Sequence, residues 1–170
     1  MANTDIHDFE LFHGAVLTKI MRSDQPVALR MIETNTKEAW SAYIINDEVT
    51  LYVKYSTKPM PRERESGAFV WTFSFTPDQL AELRKLGQEH FVYVALVCGQ
   101  RDIAKGSMHV SFMEQAEIDE CIDLMDEVQQ NVFVKFVPGG KLRVWGPRNS
   151  SRNPIKVTRS GLEKWKIPGS

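Results

Sequence analysis

The chain is expected to fold as an α/β domain, a central mixed sheet flanked by helices with a β-hairpin extension at the C-terminal end. Three stretches carry this expectation. Residues 39–58, AWSAYIINDEVTLYVKYSTK, place two runs of β-branched and aromatic residues on either side of Asn46-Asp47-Glu48. That is the pattern of a tight antiparallel hairpin, whose tip residues tolerate left-handed backbone geometry. Thr76-Pro77-Asp78-Gln79 opens a helix: threonine caps, proline suits the first helical position and glutamine completes a capping box. Phe91–Cys98, FVYVALVC, is almost wholly apolar, as a strand covered on both faces must be.

The remaining elements follow in order. Phe9, Phe12, Val16 and Ile20 recur at helical spacing with Asp8 as a cap, predicting a helix over 9–21 that ends at Ser23-Asp24-Gln25-Pro26. Val27–Glu33 reads as a strand, and Thr34–Glu38 as a turn into the hairpin. In the hairpin's second strand, Val49, Leu51 and Val53 alternate with Thr50, Tyr52 and Lys54, so one face is buried. Residues 59–67, rich in Pro, Arg and Glu, form a mobile connector or lid. Phe69, Trp71, Phe73 and Phe75 share one face of a strand, as a covered sheet face or as a platform for bases. Leu80, Leu83 and Leu86 form the stripe of the next helix, which Gly87 ends. After Phe91–Cys98, Gly99-Gln100-Arg101-Asp102 turns the chain into a short strand near Met108–Phe112. Ile118, Cys121, Ile122 and Met125 then point inward from an acidic helix. Asn131–Val137 and Lys141–Trp145 pair around Pro138-Gly139-Gly140. A strand at Ile155–Thr158 and a helical turn capped at Ser160 precede a disordered end.

A length of 170 residues suits one domain, here an α/β core over 1–130 and a basic hairpin and tail over 131–170 packed on it. No apolar run is long enough to span a bilayer, and the acidic opening MANTDIHDFE is not a secretory signal. Cys98 and Cys121 lack paired spacing and read as buried free thiols, which suits a reducing cytoplasm. Charge is unevenly spread. Residues 131–170 hold nine Lys and Arg against Glu163 alone, a net +8; with the whole chain at −1, residues 1–130 stand at −9. Residues 114–127 hold seven acids and no base. The basic end is expected either to bind a polyanion or to fold back on this acidic stretch.

The sequence contains no metal-ligand spacing, no phosphate-cradling glycine loop and no nucleophile elbow. His7, His13, His90 and His109 are far apart and read as surface or helix-end residues. Lys54, in the middle of an apolar strand, either snorkels to the surface or belongs to a site.

The order helix, three strands, an extra strand, helix and buried strand, with a hairpin ending in VKYSTK and later FTPDQLAEL and VYVALVCGQRDI, resembles the PD-(D/E)XK, or restriction-endonuclease-like, superfamily over about residues 9–125. The resemblance implies an αβββαβ core. It also implies carboxylates that hold one or two divalent ions, Mg²⁺ or Mn²⁺, beside a lysine that activates water for phosphodiester cleavage. Lys54 matches that lysine, and Glu10 matches the first-helix acid of some members. The strand carboxylate falls on Tyr52, and the preceding-strand acid would fall near Ser41–Tyr43, where there is none. The nearest acids are Asp47 and Glu48 at the hairpin tip, with Glu33 and Glu38 upstream. A neutral phenol is a poor ligand for a hard cation, so the expected metal site is degenerate, with no resident cofactor.

The expected function is that of a nuclease-fold protein without catalysis that binds nucleic acid or serves in a nucleic-acid-processing assembly. Lys141, Arg143, Arg148, Arg152, Lys156 and Arg159 would supply the phosphate contacts, with Trp145 and Trp165 among them as stacking surfaces. Two alternatives stand beside it. One is an active metal-dependent nuclease with migrated carboxylates, drawing on Glu10, Glu33, Asp47 or Glu48 beside Lys54. The other is a protein-interaction subunit that does not touch nucleic acid.

Overall fold

A computed structural model describes residues 8–22, 25–35, 39–62, 64–100 and 108–168, with the side chains of residues 33–35 outside that set. Helix α1 (Asp8–Met21) precedes a meander of β1 (Leu29–Asn35), β2 (Trp40–Ile45) and β3 (Val49–Ser56). At the β2–β3 tip, Asn46 and Asp47 have φ of 51° and 59°, the left-handed geometry expected of a tight turn. The Asn46 side chain also accepts from Ala28 N at 2.7 Å and donates to Pro26 O at 3.1 Å, which fixes the approach to β1.

The described residues of the 59–67 stretch make two contacts with the second sheet. Its β4 (Met60–Pro61) pairs with β5 (Phe69–Phe75), and Lys135 donates to Glu65 at 2.6 Å. Helix α2 (Pro77–Glu89) begins where expected, with Gln79 N donating to Thr76 Oγ1 at 3.3 Å, but the Gln79 side chain accepts from Lys54 rather than completing a capping box. The helix continues past Gly87 to a cap at His90, so glycine does not end it. Strand β6 (Phe91–Cys98) lies parallel to β3 and antiparallel to β7 (His109–Glu114). The turn at Arg101-Asp102 lies outside the described residues. Helix α3 (Gln115–Asp119) is only five residues long, held by reciprocal capping between Glu114 and Glu117. The acidic helix expected over 114–127 is therefore one short turn of helix followed by loops. Leu124 rather than Met125 turns inward there, and Met125 is 71% exposed.

Five strands form a mixed sheet in the order β1-β2-β3-β6-β7. A second, antiparallel sheet was not anticipated. It runs β10-β9-β8-β5-β4, with β8 (Gln130–Phe136), β9 (Leu142–Trp145) and β10 (Ile155–Val157). The aromatic strand β5 pairs with β8 over seven residues, Phe69↔Phe136 to Phe75↔Gln130.

Two apolar cores follow. Between the sheets, beside α2, Trp40, Ala42 and Tyr52 meet Trp71, Phe73 and Phe75 together with Val132, Val134, Leu142 and Val144. The aromatic face of β5 is thus a covered face, and Trp71 Nε1 donates across to Gly99 O at 2.8 Å. On the other side of the mixed sheet, Phe12, Val16 and Ile20 of α1 pack on Leu51, Val53, Ala95 and Val97. The C-terminal tail completes this core. Leu162 and Ile167 are buried in it, and Trp165 packs on Tyr93 and Phe112 with ring centroids 4.9 Å apart. Close packing fixes two glycines: a Cβ on Gly99 would lie 2.4 Å from the Phe12 ring, and one on Gly146 2.5 Å from Cys121 O. Both cysteines are buried free thiols. Among the described residues, no helix is long and apolar enough to cross a membrane.

Candidate nucleic-acid interface

Strand alternation places Tyr52 and Lys54 on the face of β3 turned towards α2, opposite the face that α1 covers. Lys54 is 6% exposed. Its Nζ donates to Gln79 Oε1 at 2.9 Å and lies 5.4 Å from the centre of the Phe75 ring, an amide and a π-face well suited to hold an ammonium. Tyr52 is stacked between Trp40 at 5.1 Å and Phe75 at 6.2 Å. The positions that carry acids in the nuclease resemblance, two residues before the lysine and across on the preceding strand, hold Tyr52 and its partner Ala42.

Glu10 sits exposed on α1, on the other side of the mixed sheet. Asp47 is exposed in the β2–β3 tip, two residues before β3 begins, and the strand from Val49 to Lys54 alone spans roughly 16 Å. The structure does not bring these three together. Among the described residues, no three His, Cys, Asp or Glu side chains are grouped to hold a metal ion. Glu38 and the Glu33 side chain lie outside the described residues.

The antiparallel sheet presents a different surface. Its inward residues alternate with outward ones, and registration lines the outward ones up across strands. Val70 pairs with Lys135, Lys135 with Arg143 and Arg143 with Lys156, a cationic row over β8, β9 and β10 that is exposed at Arg143 and Lys156 and covered at Val70 and most of Lys135, whose side chain is 14% exposed. The row beside it is Thr72, Phe133 and Trp145, and the next is Ser74 and Asn131, joined by a 2.9 Å hydrogen bond. The Phe133 and Trp145 rings stack at 5.5 Å and 21°. Beside them lies a cavity of about 530 Å³ lined by Arg62, Arg64, Lys135, Arg143, Trp145 and Ser151. Among the described residues that line it, the acid is Glu65. Its ion pair with Lys135 holds the carboxyl below the usual glutamate range, helped by Arg143 and Arg62.

Of the six expected contact residues, Arg143 and Lys156 share this face. Arg152 is exposed in the turn after β9. Arg148 turns back towards the acidic segment: its backbone N donates to Cys121 O at 3.0 Å, and its charge acts on Asp119, whose carboxyl burial pushes up. Lys141 and Arg159 line another hollow, beside His109, and Arg159 lies 5.5 Å over the Phe136 ring. The basic end thus both faces outward and folds back. Trp165 is part of the α1-side core and no stacking platform. Sequence reasoning missed Arg62, Arg64, Lys135 and Phe133. The period-two alternation in 131–135 and 142–145 was a signal for Lys135 and Phe133; for the two loop arginines there was none.

His13 is not a surface residue, contrary to expectation. It is 1% exposed, on the α1 face of the mixed sheet. Its Nδ1 hydrogen-bonds Ser41 Oγ, and Ser41 also bonds the Tyr43 hydroxyl. The Tyr55 ring stands edge-on at 5.5 Å. Burial pushes the imidazole down to about 4, opposed only in part by the Ala39 backbone.

No protein-family model, curated protein or solved structure matches this chain.

Proposed function

We propose that this protein binds nucleic acid without cleaving it, through the outer face of its antiparallel sheet. The observation that carries this reading is the registered row Lys135–Arg143–Lys156 beside the stacked pair Phe133–Trp145, with Arg62 and Arg64 at its edge. Cations spaced along a sheet neutralise successive phosphates, and exposed aromatic faces accept bases. Absence of catalysis is supported by what surrounds Lys54. Gln79 Oε1 and the Phe75 ring lie against its ammonium, and the positions two residues before it and across on β2 hold Tyr52 and Ala42.

Titration of a labelled oligonucleotide across salt concentrations tests the reading. The expected slope of log K against log salt is about −3 to −4, for four or five phosphate contacts. Lys54→Met is expected to leave affinity within about twofold of wild type, because the lysine lies inside the fold, away from the proposed face. The oligonucleotide should also survive incubation with Mg²⁺ or Mn²⁺. Salt-independent binding, or metal-stimulated cleavage lost in Lys54→Met, would contradict the reading.

A further inference from the structure

We infer that the cavity beside Trp145 takes one nucleotide of a single strand, its base against the indole and its phosphate among Arg62, Arg64 and Arg143. This assignment rests on the nucleic-acid-binding reading and names the class of nucleic acid. Four observations lead to it. Trp145 is half-buried, with one ring face packed on Phe133, and it also forms part of the cavity wall beside Ser151. The cavity, at about 530 Å³, falls within the range of pockets that enclose a small ligand. The aromatic row and the cationic row are two residues apart along β8 and β9, about 7 Å, so a base and its own phosphate reach both at once. Finally, among the described residues that line the cavity three arginines and Lys135 stand against one acid, Glu65, which pairs with Lys135, so the lining is net cationic towards an incoming anion.

These features separate single strands from duplexes. A duplex offers this surface only its phosphates, because its bases are paired and stacked inside. A single strand can unstack one base and lay it on an aromatic ring. The cationic rows attract both forms, whereas Trp145 rewards only the single strand. The strands that form the face are short, seven residues in β8, four in β9 and three in β10. The surface therefore suits a few nucleotides rather than a long helical footprint.

Fluorescence anisotropy with labelled oligo-dT, oligo-U and a DNA duplex, each of about 12 units, at one fixed salt concentration tests the assignment. Either single strand is expected to bind at least about tenfold tighter than the duplex. Trp145→Ala should lower single-strand affinity about ten- to a hundredfold and leave duplex affinity unchanged. Trp145→Phe should keep most of the preference, and it supplies the comparison should the alanine variant fold poorly by circular dichroism. Duplex binding equal to or tighter than single-strand binding, or an unchanged preference in a folded Trp145→Ala, would overturn the assignment while salt-sensitive binding upheld the broader reading. Failure of all three probes to bind at low salt would overturn both.

Discussion

Replacing Arg143 and Lys156 together by glutamate is expected to weaken nucleic-acid binding about a hundredfold and to reduce the salt slope by about two. The two residues are exposed on adjacent strands and directly opposite each other in the register. Each can meet a phosphate without rearrangement. Reversal does more than remove two contacts: it places two acids beside Lys135, which already answers Glu65. The cationic row would become acidic along its exposed half. Both side chains point outward, away from Val144 and Val157 in the core, so thermal unfolding should move little. Anisotropy titrations at several salt concentrations check the result. An unchanged slope would mean that the contacts lie elsewhere.

The second large effect is on stability. In the unfolded chain His13 titrates near 6.5, and in the fold at about 4. Between these values the unfolded chain binds the extra proton, so stability is full above pH 6.5 and falls as the pH drops towards 4. From pH 7.5 to pH 4 the loss attributable to this one side chain is about 3 kcal/mol. The physical cause is a cation forced into the layer between α1 and the mixed sheet, among Ser41, Tyr43, Tyr55 and Phe12. Phenols and a hydroxyl cannot neutralise it there. Urea unfolding of wild type and His13→Gln at both pH values isolates the effect, since glutamine does not titrate. The wild-type loss should exceed that of the variant by about 3 kcal/mol. Equal losses would show that His13 remains solvated.

What was legible in the sequence was legible for local reasons. The β2–β3 tip, the Thr76 cap of α2 and the apolar run of β6 are each written in consecutive residues, and each is found in the fold. The second sheet is not local. Pairing of β5 with β8 joins Phe69 to Phe136 across sixty-odd intervening residues, and alternation in either strand alone cannot name its partner. For the same reason the sequence places the basic residues on a hairpin and tail without showing which of them share a face. Their alignment into one row depends on the register between β8, β9 and β10. His13 was legible and overlooked: it falls on the same helical stripe as Phe9, Phe12, Val16 and Ile20. At Lys54, the pattern placed the lysine on its strand but did not show which layer would close over it. Gln79, spent in the sequence reading on a capping box, instead turns inward to accept from the ammonium. The packed tail has a practical consequence as well. Deleting residues 146–170 would remove β10, Leu162 and Ile167 from the two cores, so point variants are the sound test of binding.

The most direct test is to titrate the full chain with oligo-dT and follow its backbone amide and indole resonances by NMR. The largest shifts are expected in β8, β9 and β10, in residues 60–65 and at the Trp145 indole. Shifts confined to α1, to the β2–β3 tip around Asp47 or to the surroundings of Lys54, with Trp145 unmoved, would contradict the binding face described above.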